Sequence, residues 1–275
     1  MKARILDDKH NPEKTLLKRR YFVASIALLG LGARAQVADI NDAINKAGRQ
    51  RMLSQRASKA YLALAQKVEP RSAQQVLDRS IALFDQQLIE LKAFAPSAAI
   101  RGTYDALGGA WADFKGELTT GAPGKDAASR VVKLDAAVLA LAHQGTTQYE
   151  AASGKSVGRL VNIAGRQRML SQRMAKFYLA NGLQIDPTGS AAEIAKARSE
   201  FVAALEILRS APEATSQIKE ELQLADAQWL FFNHGLARLE GDGATPKLMS
   251  DVFVTSENLL TIMDRVTGLY SNLKS

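Results

Sequence analysis

The chain has 275 residues, 47% hydrophobic, 6% aromatic and 23% charged, which is enough for packed cores and excludes a disordered or collagen-like chain. It has no cysteine and only three histidines (His10, His143, His234), so disulfides, thiolate sites and cysteine nucleophiles are excluded and no metal centre or cofactor is expected. The formal charge of +8 would suit a nucleic-acid partner, but residues 1–35 hold +5 of it and the other 240 residues only +3.

In chain order, residues 1–20 are polar and basic, Tyr21–Gly32 is a short apolar stretch, and Ala33-Arg34-Ala35 follows. That is the order of an export signal, with cleavage expected after Ala35. The apolar stretch is too short for a bilayer, which needs roughly 20 residues. Arg19-Arg20, ahead of Tyr21-Phe22-Val23, resembles a twin-arginine export motif. The expected product is a periplasmic protein, exported folded, with no transmembrane segment in the mature chain.

From residue 36 onward Ala, Leu, Gln, Glu, Lys and Arg predominate and no stretch alternates with period two, so the expected fold is all-α. Ile44–Ala63 and Val161–Ala180 agree at 15 of 20 positions with an offset of 117 residues. Pro70 and Pro187, Phe84 and Phe201, and Leu91 and Leu208 keep that offset; Trp111 with Trp229 and Tyr149 with Tyr270 align after small insertions. So long a unit is a duplicated domain rather than a solenoid repeat. Proline and glycine divide the first copy into helices at 37–68, 71–94, 97–119 and 127–152. The second divides at 156–181, 190–210, 213–240 and 247–272. Short loops between amphipathic helices predict two tandem antiparallel four-helix bundles after a cleavable signal: 1–35, 36–153 and 154–275.

Wound as a helix, Ile44, Gly48, Arg51, Gln55, Ser58 and Leu62 form one stripe with heptad spacing. Its repeat is Val161, Gly165, Arg168, Gln172, Ala175 and Leu179. A second stripe, Leu53, Ala57, Ala60 and Leu64, is left for the bundle core. A glycine and an arginine are unusual in a purely structural seam. Mid-helix glycine costs about 1 kcal/mol relative to alanine, and an inward arginine needs a partner. Segments 45–59 and 162–176 hold nine basic residues and no acid, while the rest of the chain beyond residue 35 carries −6. If the two seams face each other, guanidiniums about 6 Å apart repel by roughly 3 kcal/mol, and an anion between them relieves the strain. The alternative is that these arginines pair with carboxylates elsewhere, such as Asp39, Asp42 or the helix-four acids.

The run Asn45-x-Ala47-Gly48-Arg49-Gln50-Arg51-Met52-Leu53-Ser54-Gln55-Arg56-x-x-Lys59, repeated from Asn162, resembles a known signature. It opens the sensory domain shared by type IV pilus methyl-accepting chemotaxis transducers (PilJ-type) and nitrate/nitrite-responsive sensor kinases (NarX-type). The resemblance implies a periplasmic four-helix domain that pairs through helix one, with nitrate held between the paired helices by a motif arginine and nearby backbone. By position that arginine is Arg51 or Arg168, with Gly48 or Gly165 one turn earlier. Around the arginine the run departs from the nitrate sensors and is closer to the pilus-transducer form.

Other chemistry is sparse. Gly154-Lys155-Ser156 lacks the earlier glycine of a phosphate loop and reads as a helix break. His143 and His234 stand alone on predicted helices, and Trp111 and Trp229 are expected to fill the cores. No enzyme is expected. The leading expectation is a sensory module for signal transduction that binds a small inorganic anion, nitrate or nitrite, through Gly48, Arg51, Gln55, Gly165, Arg168 and Gln172. No kinase or methyl-accepting module is expected after Ser275, and signalling is expected through a membrane-bound transducer, kinase or transporter partner. The alternatives are a helical adaptor for pilus, chemotaxis or envelope machinery that binds no small ligand, and a protein-only partner of a transducer. The motif helices pair either within one chain or across a homodimer.

Overall fold

Side-chain caps and prolines set where six of the eight described helices begin. The computed structural model describes residues 36–240 and 243–273. The export-signal residues Arg19, Arg20, Ala33 and Ala35 lie outside them. Within the described residues there are eight α-helices and no strand. They are α1 (Ile40–Ala65), α2 (Pro70–Phe94), α3 (Ala98–Thr119), α4 (Lys125–Ser153), α5 (Ser156–Gly182), α6 (Pro187–Ser210), α7 (Ser216–Ala237) and α8 (Pro246–Ser271).

The caps explain the differences from the expected boundaries. Asp39 accepts the Asp42 N–H, so α1 begins at Ile40 rather than residue 37. Pro187 occupies the first turn of α6 behind the Asp186 cap and so starts the helix instead of breaking it. Thr215 caps α7, which therefore begins three residues beyond the expected start at 213 and ends at Ala237 in a short 3-10 turn, Arg238–Glu240. Between α4 and α5, Gly154 adopts φ 61°, a left-handed value natural to glycine, and ends α4. The Gly154-Lys155-Ser156 run is a helix junction.

The described residues from 37 onward form one compact unit. α1 packs against α2, α4 and α5; α5 packs against α1, α6 and α8; α3 reaches the core through α4, and α7 through α8. In α1, 20 of 26 residues are buried, and in α5, 18 of 27, so these two helices are enclosed on nearly every side while their neighbours bury one stripe each. Both stripes expected for α1 are used: Ile44, Gly48, Arg51, Gln55, Ser58 and Leu62 are buried, and so are Leu53, Ala57 and Ala60.

The two motif helices run in the same direction. Gly48 lies against Gly165, and further along Gln66 Nε2 donates to Leu179 O at 3.0 Å. Side chains repeat with the backbone. Tyr149 donates to Leu91 O at 2.7 Å and Tyr270 to Leu208 O at 2.6 Å. Trp111 stacks on Phe84 and Trp229 on Phe201, filling the cores as expected. The duplication thus builds a pseudo-twofold pair inside a single chain.

Candidate functional site

An arginine on a helix leans toward the N-terminus, so Arg51 and Arg168 reach back over the glycine one turn earlier. A Cβ built on Gly48 would lie 3.2 Å from Arg51 Nη2, 3.6 Å from Arg168 Nη2 and 3.8 Å from Gly165 Cα. A Cβ on Gly165 would meet the same two nitrogens at 3.2 and 3.7 Å. The glycines therefore make room for both guanidiniums and for close approach of the two backbones. Each arginine crosses to the other helix. Arg51 Nη2 donates to Asn162 Oδ1 at 2.7 Å and Asn162 O at 3.3 Å, and Arg168 Nη2 donates to Asn45 O at 2.9 Å. The Asn162 amide in turn donates to Glu150.

Both arginines are 0% exposed, and the Nε of each is buried without a hydrogen-bond partner. Burial, followed by the neighbouring Arg166 and Arg168, lowers the Arg51 pKa to about 9. Burial and Arg49 lower that of Arg168 to about 10, with Asp264 acting in the opposite sense. Both remain cations at neutral pH, held at an energetic cost.

The two halves then diverge. Arg168 pairs with Asp264, which also holds Arg49 at 2.8 Å. Burial would raise the Asp264 pKa, but Arg168 and Arg49 outweigh it and bring it down to about 2. At the corresponding place in the first half stands His143, whose Nδ1 lies 3.3 Å from Arg51 Nη1. Arginine has no acceptor, so this histidine is neutral and accepts. Burial first, then Arg51 and Arg166, lowers its pKa from 6.5.

The other motif cations are matched by carboxylates from other helices, and Lys46 also by Asp42 on its own helix. Lys46 meets Asp42 and Glu90, Arg56 and Lys59 meet Glu257, Arg166 meets Glu200, Arg173 meets Glu193, and Lys176 meets Asp135. Of the nine motif cations, Arg51 has no carboxylate partner among the described residues. The expectation of two equivalent arginines sharing one anion is thereby altered: Arg168 already has its counter-charge, and Arg51 does not.

Gln55 and Gln172 sit deeper. Gln55 Nε2 donates to both oxygens of Asp135 at 2.7 and 2.8 Å, and Gln172 Nε2 donates to Ser256 O at 2.9 Å. They anchor α1 and α5 to α4 and α8 and do not face the arginine ends. Lys59 and Lys176 cross between the copies, binding Ser256 with Glu257 and Asp135 respectively.

A cavity of about 290 Å³ opens beside Arg51, between α4, α5 and α6, with His143, Arg166, Arg173 and Lys196 among its polar lining and Leu139, Met169 and Leu170 among its apolar lining. Arg168 does not line it. The sequence placed His143 alone on its helix; the clue to its partnership was the Tyr149–Tyr270 alignment, which sets His143 against Asp264. His234 is exposed on α7. Among the described residues no cluster of His, Asp and Glu could hold a metal ion, and no helix is long and apolar enough to cross a membrane.

The family described as PilJ, Type IV pili methyl-accepting chemotaxis transducer N-term, matches residues 35–137 and again 149–252. Each stretch contains one whole motif helix, and His143 and Asp264 fall outside both. No curated protein and no solved structure matches the chain.

Proposed function

We propose a function from the premise that the chain belongs to the PilJ family of type IV pili methyl-accepting chemotaxis transducer N-terminal domains. It is a helical module related to chemotaxis transducers, and it works as a sensor, by binding rather than catalysis. The ligand is a small inorganic anion of the nitrate or nitrite type, taken up beside Arg51, where α1 borders the cavity between α4, α5 and α6. The signal passes to a partner protein in or at the membrane. The leader pattern supports a periplasmic location with export by the twin-arginine route.

The observation that carries this reading is Arg51: a fully buried guanidinium with an unpartnered Nε, no carboxylate, and a cavity at its side. An anion there would add the missing counter-charge, gaining roughly 4 kcal/mol at 4 Å and an effective dielectric of 20, before desolvation. It would also relieve the repulsion from Arg168 and Arg166, and so favour one placement of α1 against α5. The adaptor reading draws on a different observation: eight of nine motif cations each meet a carboxylate within the chain, as in a structural interlock. Thermal unfolding with added nitrate, nitrite and chloride separates the two. A sensor is stabilised selectively by its anion as mass action requires, and Arg51→Met removes the effect. An adaptor shows the same midpoint in all three salts.

A further inference from the structure

The two halves of the molecule can be compared position by position around the motif. The offset of helix four between the copies, fixed by Tyr149 and Tyr270 with their equivalent bonds to Leu91 and Leu208, sets Ala136 against Glu257 and His143 against Asp264. In the second half, Glu257 and Asp264 project from α8 to meet Arg56, Lys59, Arg49 and Arg168. In the first half both carboxylates are missing from α4. The arginines equivalent to Arg49 and Arg56 are Arg166 and Arg173, and they turn instead to Glu200 and Glu193 on α6. At those two positions the first half carries Leu83 and Val76. The acids have in effect moved from the inner wall to the outer one, and the cavity lies in the space between.

That cavity keeps two cations without a carboxylate partner among the described residues, Arg51 and Lys196. Ala136, Leu139, Ala140, Met169 and Leu170 give it an apolar floor. Its volume of about 290 Å³ far exceeds an ion a few times the roughly 30 Å³ share of one water. We infer that the cavity takes a linear organic dicarboxylate, whose two carboxylates stand where Glu257 and Asp264 stand in the other half. One end meets Arg51 beside His143, the other meets Arg173 and Lys196 beside Ala136, and the methylene chain lies on Leu139 and Met169. The ligand's two charges match buried Arg51 and solvent-exposed Lys196. Positions 136 and 143 are two helical turns apart, about 10 Å along the axis, which favours a ligand of suberate or azelate length over oxalate or succinate. This inference rests on the reading that the Arg51 side of the motif pair binds anions: a nitrate-sized anion at Arg51 fills one end of the cavity, and the dicarboxylate spans both ends.

The test uses the full chain with oxalate, succinate, adipate, suberate, azelate, acetate and nitrate as probes. Suberate or azelate at hundredfold excess over its Kd is expected to raise the midpoint by about 5–10 °C, with acetate and oxalate well below. Arg51→Met should weaken that binding about 100-fold. The variant A136E/H143D supplies the missing carboxylates from the chain itself. It should melt higher than the wild type without ligand and no longer respond to dicarboxylates. A response to nitrate with none to any dicarboxylate overturns this inference and leaves the proposed function standing; no response to any probe overturns both. Undiminished dicarboxylate binding by folded A136E/H143D overturns the placement in this cavity.

Discussion

Asp135→Asn should destabilise the protein by about 3–5 kcal/mol, because it strands a buried cation. Asp135 is 0% exposed and its Oδ2 lies 2.6 Å from Nζ of Lys176, which is 2% exposed. Gln55 donates to both carboxylate oxygens as well, so the carboxylate joins α1, α4 and α5 at one point. Asparagine keeps the shape and loses the charge. Lys176, whose pKa burial already lowers, must then stay charged without a partner or give up its proton. Deprotonating a lysine of ordinary pKa at pH 7 costs about 4–5 kcal/mol, which caps the loss. For a body of this size each kcal/mol moves the midpoint by about 2–4 °C, so the variant should melt roughly 10–15 °C lower. Circular dichroism at 222 nm during heating reads this directly. Pairing the change with Lys176→Met removes the stranded charge and should recover most of the loss. A loss under about 1 kcal/mol for Asp135→Asn, or a double variant no more stable than the single one, would refute the buried-pair reasoning.

Gly145→Ala should destabilise by about 1–3 kcal/mol, since its Cβ would stand 2.8 Å from the buried Tyr104 ring, whereas Gly109→Ala meets nothing within 4 Å and should stabilise by about 0.5–1 kcal/mol; urea denaturation compares them. Tyr149→Phe and Tyr270→Phe each remove a buried hydroxyl-to-carbonyl bond and should each cost about 1 kcal/mol by the same measurement. The His143 pKa is held below 6.5, by burial first and by Arg51 and Arg166 next. The unfolded chain therefore takes up this proton first as pH falls, so the contribution of His143 to stability is complete above pH 6.5 and is lost below it. His143→Gln should flatten that part of the stability profile, and Arg51→Met should raise the His143 pKa read by NMR titration.

The helical fold and the duplication were legible because a near-identical motif and repeated proline breaks are local in sequence. The stripe from Ile44 to Leu62 correctly marked a face buried against another helix. Its period could not separate residues at the crossing, such as Gly48 and Arg51, from Gln55, which turns to Asp135 on α4. Partners of the motif cations were hidden for a different reason. Asp264 lies 215 residues from Arg49, and only the fold brings them together. Small insertions shift helix four from the 117-residue offset, which concealed that His143 and Asp264 occupy equivalent places. The glycines signalled close approach, and what approaches is the opposite backbone together with the two arginine ends.

Calorimetric titration of the protein with nitrate, run beside its Arg51→Met and Arg168→Met variants, bears most directly on the claim that Arg51 is the unmatched cation of an anion sensor. Saturable binding by the wild type is expected, abolished in Arg51→Met and retained, though weakened, in Arg168→Met, because Asp264 already meets the charge of Arg168. Absence of binding by the wild type, or equal binding by wild type and Arg51→Met, would contradict it.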